Sequence, residues 1–225
     1  MHGLRLGWRW MWLAGGAVSL VAVLTVRALV PDDAATQTTP PRAGRPDTSS
    51  RFMSLVTAYG LFGFGYVITA TFIVAIVRGS SDIRQYEYVI WLVVGLCAAP
   101  SVWVWSAIAQ RAGVLRAFAL ACFTEAIGIV ASVVWVNIVG LLVAAVLLGG
   151  TFMGITALGL IAARALAAEN ERQALAKITA AFGLGQAIGP VVAGYGFDIT
   201  GSFLLPSMVA ALGLVVATIL ALRIS

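Results

Sequence analysis

The chain has 225 residues, 61% of them hydrophobic and only 10% charged, with a net charge of +5. A mean hydropathy of +1.00 excludes an ordinary soluble domain. The basic excess does not point to nucleic acid: the basic residues sit in short gaps between apolar runs, where the matching partner is an anionic membrane leaflet.

A helix rises 1.5 Å per residue, so about 20 uncharged residues cross a hydrocarbon layer of roughly 30 Å. In chain order, seven stretches meet that condition: 10–30, 52–77, 88–109, 115–136, 138–163, 177–197 and 203–222. The first follows Arg5 and Arg9 and has a rival reading as a secretory signal peptide. Against that reading, the stretch opens with Trp10 and Trp12, is long for an h-region, and lacks a small-x-small cleavage site before Pro31. The segment PDDAATQTTPPRAGRPDTSSR (Pro31–Arg51) is rich in Pro, Thr and Ser and cannot bury enough apolar surface to fold. The predicted organisation is therefore a single transmembrane helix in 1–30, a cytoplasmic linker in 31–51 and a six-helix transmembrane bundle in 52–225. Within the bundle, RALAAENERQALAK (Arg164–Lys177) is predicted to carry a short surface helix. The fold class is all-α, a polytopic membrane helix bundle.

Orientation follows from the basic residues. One side of the membrane takes Arg27, Arg42, Arg45, Arg51, Arg111, Arg116, Arg164, Arg172, Lys177 and Arg223; the other takes Arg5, Arg9, Arg78 and Arg84. The first side is predicted to be cytoplasmic. Arg5 and Arg9 resist that arrangement, because a chain starting there would keep them inside.

The run Ser106-Ala-Ile-Ala-Gln-Arg-Ala-Gly-Val-Leu-Arg116 resembles the cytoplasmic loop of the major facilitator superfamily, Gly-x-Leu-Ala-Asp-Arg-x-Gly-Arg-Arg. Arg111 and Gly113 match; Gln110 replaces the acid and Ser106 the first glycine. Tyr59-Gly-Leu-Phe-Gly-Phe-Gly-Tyr66 is similar to the seventh helix of an uncharacterised bacterial permease branch, and Gly149-Gly-Thr-Phe-Met-Gly-Ile-Thr-Ala157 to its tenth. Gly183-Leu-Gly-Gln-Ala-Ile-Gly-Pro190, with Gly194 and Asp198-Ile-Thr-Gly201, is similar to the eleventh, and Gly7-Trp-Arg-Trp10 to the entry of the sixth. The resemblance spans nearly the whole chain. It implies half of a major facilitator fold with one extra N-terminal helix, in a bacterial inner membrane, as a secondary-active and proton-coupled permease or efflux protein. The first five helices of a twelve-helix member are not in this sequence. Three readings stay open: a truncated frame, one partner of a split transporter, or a homodimerising half. The alternative class is a non-transporting membrane protein that binds other helices.

Candidate site residues follow. Tyr59 and Tyr66 are seven apart and share a helix face; the seventh helix lines the cavity in this family, so both are expected to contact substrate, together with Phe152 and Gln186. Thr151 and Thr156 are weaker cavity candidates. Glu125 is the only acid well inside a span. An ionised carboxylate there costs roughly 2.5–3.5 kcal/mol on insertion scales, which favours the neutral acid. It is read either as a proton-coupling residue or as a structural acid bonded to a neighbouring helix, the resemblance placing it on the peripheral ninth helix. Arg111 and Arg164, at cytoplasmic helix ends, are candidate conformational latches. Gly150 with Gly154 and Gly185 with Gly189 form small-xxx-small pairs expected to pack helices closely, whereas Gly213 is expected to face lipid.

No enzymatic pattern is present. His2 is the only histidine and Cys97 and Cys122 the only cysteines, so neither a metal set nor a nucleophile dyad can be built. Lys177, the only lysine, borders a loop and supplies no mid-helix amine. No cofactor is expected; the partners are the lipid bilayer, a small-molecule substrate and a second transporter half.

Overall fold

The computed structural model describes residues 13, 16, 17, 19–21, 23–25, 27, 50–79, 83–167 and 170–225. The chain divides into two units, Met1–Ala43 and Gly44–Ser225. In the first, every described residue between 13 and 27 is helical, and Thr25 Oγ1 donates to the Val21 carbonyl at 2.8 Å. The predicted linker, up to residue 49, lies outside the described residues.

The second unit is a bundle of six helices: α1 Ser50–Gly79, α2 Glu87–Ala112, α3 Val114–Val134, α4 Ile138–Leu166, α5 Glu171–Thr200 and α6 Leu204–Arg223. All six are long and apolar enough to cross a membrane. A single 3-10 turn, Arg84–Tyr86, precedes α2. Among the described residues, the predicted surface helix in Arg164–Lys177 is not a separate α-helix. Its Ala, Leu, Glu, Arg and Gln residues are strong helix formers, and they extend the flanking spans instead: α4 runs on to Leu166 and α5 begins at Glu171. At 30 residues, α5 is about 45 Å long and projects beyond the hydrocarbon.

Glycine makes two of the turns possible. Gly113, at φ 91°, is alone between α2 and α3, in a conformation that L side chains rarely adopt. Gly201, at φ 65°, closes α5 with its N–H on the Phe197 carbonyl at 2.7 Å. Asn137 opens α4 by accepting the Gly140 N–H at 2.9 Å. Hydroxyls inside the spans bond the carbonyl four residues back, as Thr57, Thr69, Thr124, Thr156 and Thr218 all do. These hydroxyls are thus satisfied without water.

The packing reveals an internal repeat. The most extensive contacts are α2 with α4 and α1 with α5, followed by α3 with α4, α3 with α6 and α1 with α6. Exchanging α1 with α4, α2 with α5 and α3 with α6 maps this pattern onto itself. Because successive spanning helices alternate in direction, α1 and α4 run oppositely, so the two triplets are inverted copies. Glycine serves the equivalent contacts: Gly185 of α5 abuts the Gly60 carbonyl and Phe64 nitrogen of α1, and Gly149 of α4 abuts the Val94 backbone of α2. The expected Gly185 and Gly189 stripe packs α5 on α1. In α4 the close pair is Gly149 with Gly154, since Gly150 has open space on its side-chain side. Gly213 is buried against Phe64 and Leu61 of α1 and does not face lipid.

One end of the bundle gathers Arg51, Arg111, Arg116, Arg164, Arg172, Lys177 and Arg223, and the other carries Arg78 and Arg84. Arg51 bonds the Ile224 carbonyl at 2.5 Å, joining the start of α1 to the end of α6. The charge bias leads to a topology prediction. In a chain whose two cysteines are replaced by alanine, Gln85→Cys should react with an impermeant maleimide in intact cells. Gln110→Cys should react only after lysis. The reverse pattern would invert the orientation.

Candidate functional site

Where α4 meets α1 and α5, the contacts between backbones are slight and aromatic rings fill the space. Tyr66 of α1 stacks on Phe152 of α4, with ring centroids 4.0 Å apart and planes at 13°. Phe62 lies 6.2 Å from Phe152 and 5.4 Å from Phe182 of α5, and Tyr59 is 5.4 Å from Phe182. Offset stacking and tilted contacts of this kind are each worth about 0.5–1.5 kcal/mol beyond burial. One turn beyond Phe182 stands Gln186. Tyr66, Phe152 and Gln186 are all half-buried.

Tyr59 is placed differently from the sequence expectation. It is 3% exposed, with its ring held between Phe118, Phe62 and Phe182 and against Gly159, and its hydroxyl donates a long 3.4 Å bond to the Thr156 carbonyl. It is a core ring, because the face opposite α5 is covered by α3 and α4. Phe62 and Phe182, which sequence reasoning passed over, are the rings that connect Tyr66 and Phe152 to α5. The only signal for them was position: Phe62 lies one turn from Tyr66, and Phe182 one turn before Gln186.

Two polar groups in this region lack partners. Neither the Tyr66 hydroxyl nor the Gln186 amide hydrogen-bonds any described residue, although both lie within apolar spans. A polar group withdrawn from water without a partner costs about 1–3 kcal/mol. Pro100 in α2 and Pro190 in α5 add a backbone counterpart. Lacking an N–H, they leave the carbonyls of Leu96 and Gln186 without the usual helical donor. The two prolines occupy equivalent places in the inverted triplets. Pro100 follows the Val94 contact by six residues, and Pro190 follows the Gly185 contact by five.

Glu125 of α3 is fully buried and turned toward α4. Its Oε2 is 3.1 Å from Thr151 Oγ1, while Oε1 has no partner among the described residues. Thr151 Oγ1 also lies 2.7 Å from the Leu147 carbonyl. Thr151 immediately precedes Phe152, so the carboxyl sits just behind the aromatic floor. Ser101 of α2 is the other buried polar side chain without a partner among the described residues. Beside it, Trp105 donates its indole N–H to the Gly150 carbonyl at 2.7 Å.

The latch candidates separate. Arg164 pairs with Glu171 at 2.8 Å, joining the end of α4 to the start of α5. Arg111 is exposed and makes no ion pair among the described residues; a latch there needs an acid from outside them. A pair unforeseen in the sequence, Arg78 with Glu87, is bidentate at 2.9 and 2.6 Å and joins α1 to α2. Both pairs are solvent-exposed, where screening by water leaves an ion pair little net contribution. Among the described residues no cluster of His, Cys, Asp and Glu is able to hold a metal ion. A groove of about 480 Å³ between α3 and α6, lined by Phe123, Ile127, Trp135 and Met208, is apolar throughout and offers no group for polar recognition.

Six spanning helices among the described residues, two inverted triplets, and unpaired polar groups within the spans define a multi-pass membrane protein of the transporter class. The family model for the uncharacterised MFS-type transporter YbfB matches residues 1–222. The chain belongs to that family, within the major facilitator superfamily, and its role is transmembrane transport. A search of curated proteins finds no match to it.

Proposed function

We propose that the chain is the substrate-bearing half of a secondary-active permease or efflux protein for an uncharged or amphipathic small molecule. Tyr66, Phe152 and Gln186 contact the solute, and Glu125 carries the coupling proton. The observation that supports this most is the pairing of two unsatisfied polar groups, the Tyr66 hydroxyl and Gln186 amide, with the stacked Tyr66 and Phe152 rings. Such a surface offers stacking area and two hydrogen bonds but no full charge. The freed carbonyls of Leu96 and Gln186 support the same face, since an unpaired carbonyl is not left against lipid in the hydrocarbon core. A second six-helix bundle, separate or homodimeric, completes the site across this face. Alternating access is then a rocking of the two bundles, with the Arg164–Glu171 pair holding the α4–α5 junction in the state described.

The test is transport of neutral amphipathic fluorophores by cells that express the chain together with a complementary six-helix half. Tyr66→Ala and Gln186→Ala should each raise KM about tenfold, the equivalent of one lost hydrogen bond or stacking contact. Tyr59→Phe should behave as wild type, because the bond it removes is long. Loss of transport in Tyr59→Phe with normal Tyr66→Ala would place the site elsewhere.

A further inference from the structure

Beyond the central face, the basic end of the bundle holds a second feature. A groove of about 270 Å³ opens between the α2–α3 junction and the end of α4, lined by Val114, Leu115, Arg116, Ala162 and Leu166 among others. Nothing lies within 4 Å on the side-chain side of Gly113, so the mouth of the groove is open. Arg116 lines it, and Arg111, in the last turn of α2, directly precedes Ala112 of the lining. Three of the other five basic residues at this end are engaged. Arg51 is bonded to the Ile224 carbonyl, Arg164 is paired with Glu171, and Lys177 lies 5.8 Å over the Phe52 ring. Arg111 and Arg116 make no ion pair among the described residues. Glu171 is the one acidic side chain among the described residues at this end, against seven basic side chains, and Ser225, the last residue of the sequence, also lines the groove.

We propose that this groove binds one anionic phospholipid, whose phosphate is held by Arg111 and Arg116 and whose acyl chain lies along Val114, Leu115 and Leu166. Charge complementarity selects an anion. The apolar wall selects a lipid over a free anion, because inorganic phosphate gains nothing from Leu115 or Leu166. Location agrees: the groove lies where helices that span the bilayer reach its surface, at the end with surplus positive charge, and basic recesses between spanning helices suit such headgroups. Arginine is suited to the task, since its planar fork of donors matches phosphate oxygens. The site is independent of the solute-binding reading above, and transport activity plays no part in its test.

The experiment measures lipid retained by the purified full chain in detergent, by native mass spectrometry, with phosphatidylglycerol and phosphatidylcholine as probes. Phosphatidylglycerol should be retained about 25-fold over phosphatidylcholine, from two contacts each worth a factor of about five. The double variant Arg111→Gln with Arg116→Gln should lose this preference while keeping the lipid-free Tm of the wild type. Arg172→Gln with Arg223→Gln makes the same charge change at the same end and should retain it. Equal loss in the two double variants would reduce the effect to diffuse surface charge and overturn the site. Displacement of phosphatidylglycerol by millimolar inorganic phosphate would also overturn it, because the apolar wall would then contribute nothing. A wild type without any preference would do the same.

Discussion

Gly185→Leu should lower the Tm of the purified bundle by about 10 °C, whereas Gly183→Leu, two residues earlier on the same helix, should change it little. Over-packing a tight site costs roughly 1–3 kcal/mol and sometimes more, and for a protein of this size 1 kcal/mol corresponds to about 2–4 °C. Gly185 is at the severe end because a Cβ there would meet the Gly60 carbonyl and the Phe64 nitrogen. These are backbone atoms of α1, and no side chain can rotate away to make room. Relief requires α5 to move off α1, which opens one of the two most extensive contacts in the bundle and disturbs Gly63 against Phe182 and Gly189 against Val67 on the same interface. Gly183 has nothing within 4 Å on its side-chain side, so its substitution isolates the effect of leucine in α5 from the effect of the clash. Equal thermal stability of the two variants would show that the α1–α5 contact can separate without loss.

This contrast also marks what the sequence made legible. The six spans of the bundle could be read directly, since hydrocarbon thickness and the charges between runs define them. Boundaries were less certain where polar helix formers follow an apolar run, which is how α5 came to start at Glu171 and absorb the expected surface helix. The division of faces was hardest to see. In a water-soluble helix the buried face is apolar and the exposed face polar, but in a bilayer both faces carry the same residue types. Leu, Val and Ala therefore do not say whether they meet lipid or protein. Gly149 and Gly150 are indistinguishable by composition, yet one touches Val94 and the other meets open space. Gly213 looked free to face lipid and instead lies against α1. Tyr59 and Tyr66 share a helix face by spacing; only the positions of α3 and α4 make one a core ring and the other a half-buried one. Polar residues inside the spans were the better guide. Glu125 and Gln186 stood out in the sequence because the surrounding runs contain almost nothing else polar, and each proves to hold an unpaired group among the described residues. The family resemblance had placed Glu125 on a peripheral helix, but the side chain turns inward to α4.

Glu125→Gln should abolish uphill accumulation in the completed transporter and leave solute exchange within about twofold of wild type. The argument begins at Thr151. Its hydroxyl has a single hydrogen, and the nearest acceptor is the Leu147 carbonyl at 2.7 Å. With the hydrogen directed there, Oγ1 presents a lone pair to Glu125 Oε2 at 3.1 Å. In that arrangement the contact is a hydrogen bond when the carboxyl carries its proton and donates it; with the hydroxyl turned the other way, Thr151 donates to Oε2 instead. An ionised carboxylate in the same place would have at most that one hydroxyl as donor and none at Oε1, in a setting of full burial where unpaired charge is most costly. The described state therefore suits the proton-loaded acid, and release requires the α3–α4 contact to open toward water. Glutamine reproduces the loaded state, since its amide donates to Oγ1 and fills the same volume, but it has no proton to release. Exchange, which needs no net proton movement, survives; accumulation against a gradient does not. The measurement is the steady-state accumulation ratio under an imposed proton gradient, set beside the rate of exchange with no gradient, at matched expression and Tm. Wild-type accumulation in Glu125→Gln would make Glu125 a structural acid that bonds α3 to α4, and the coupling proton would have to be carried by a different residue.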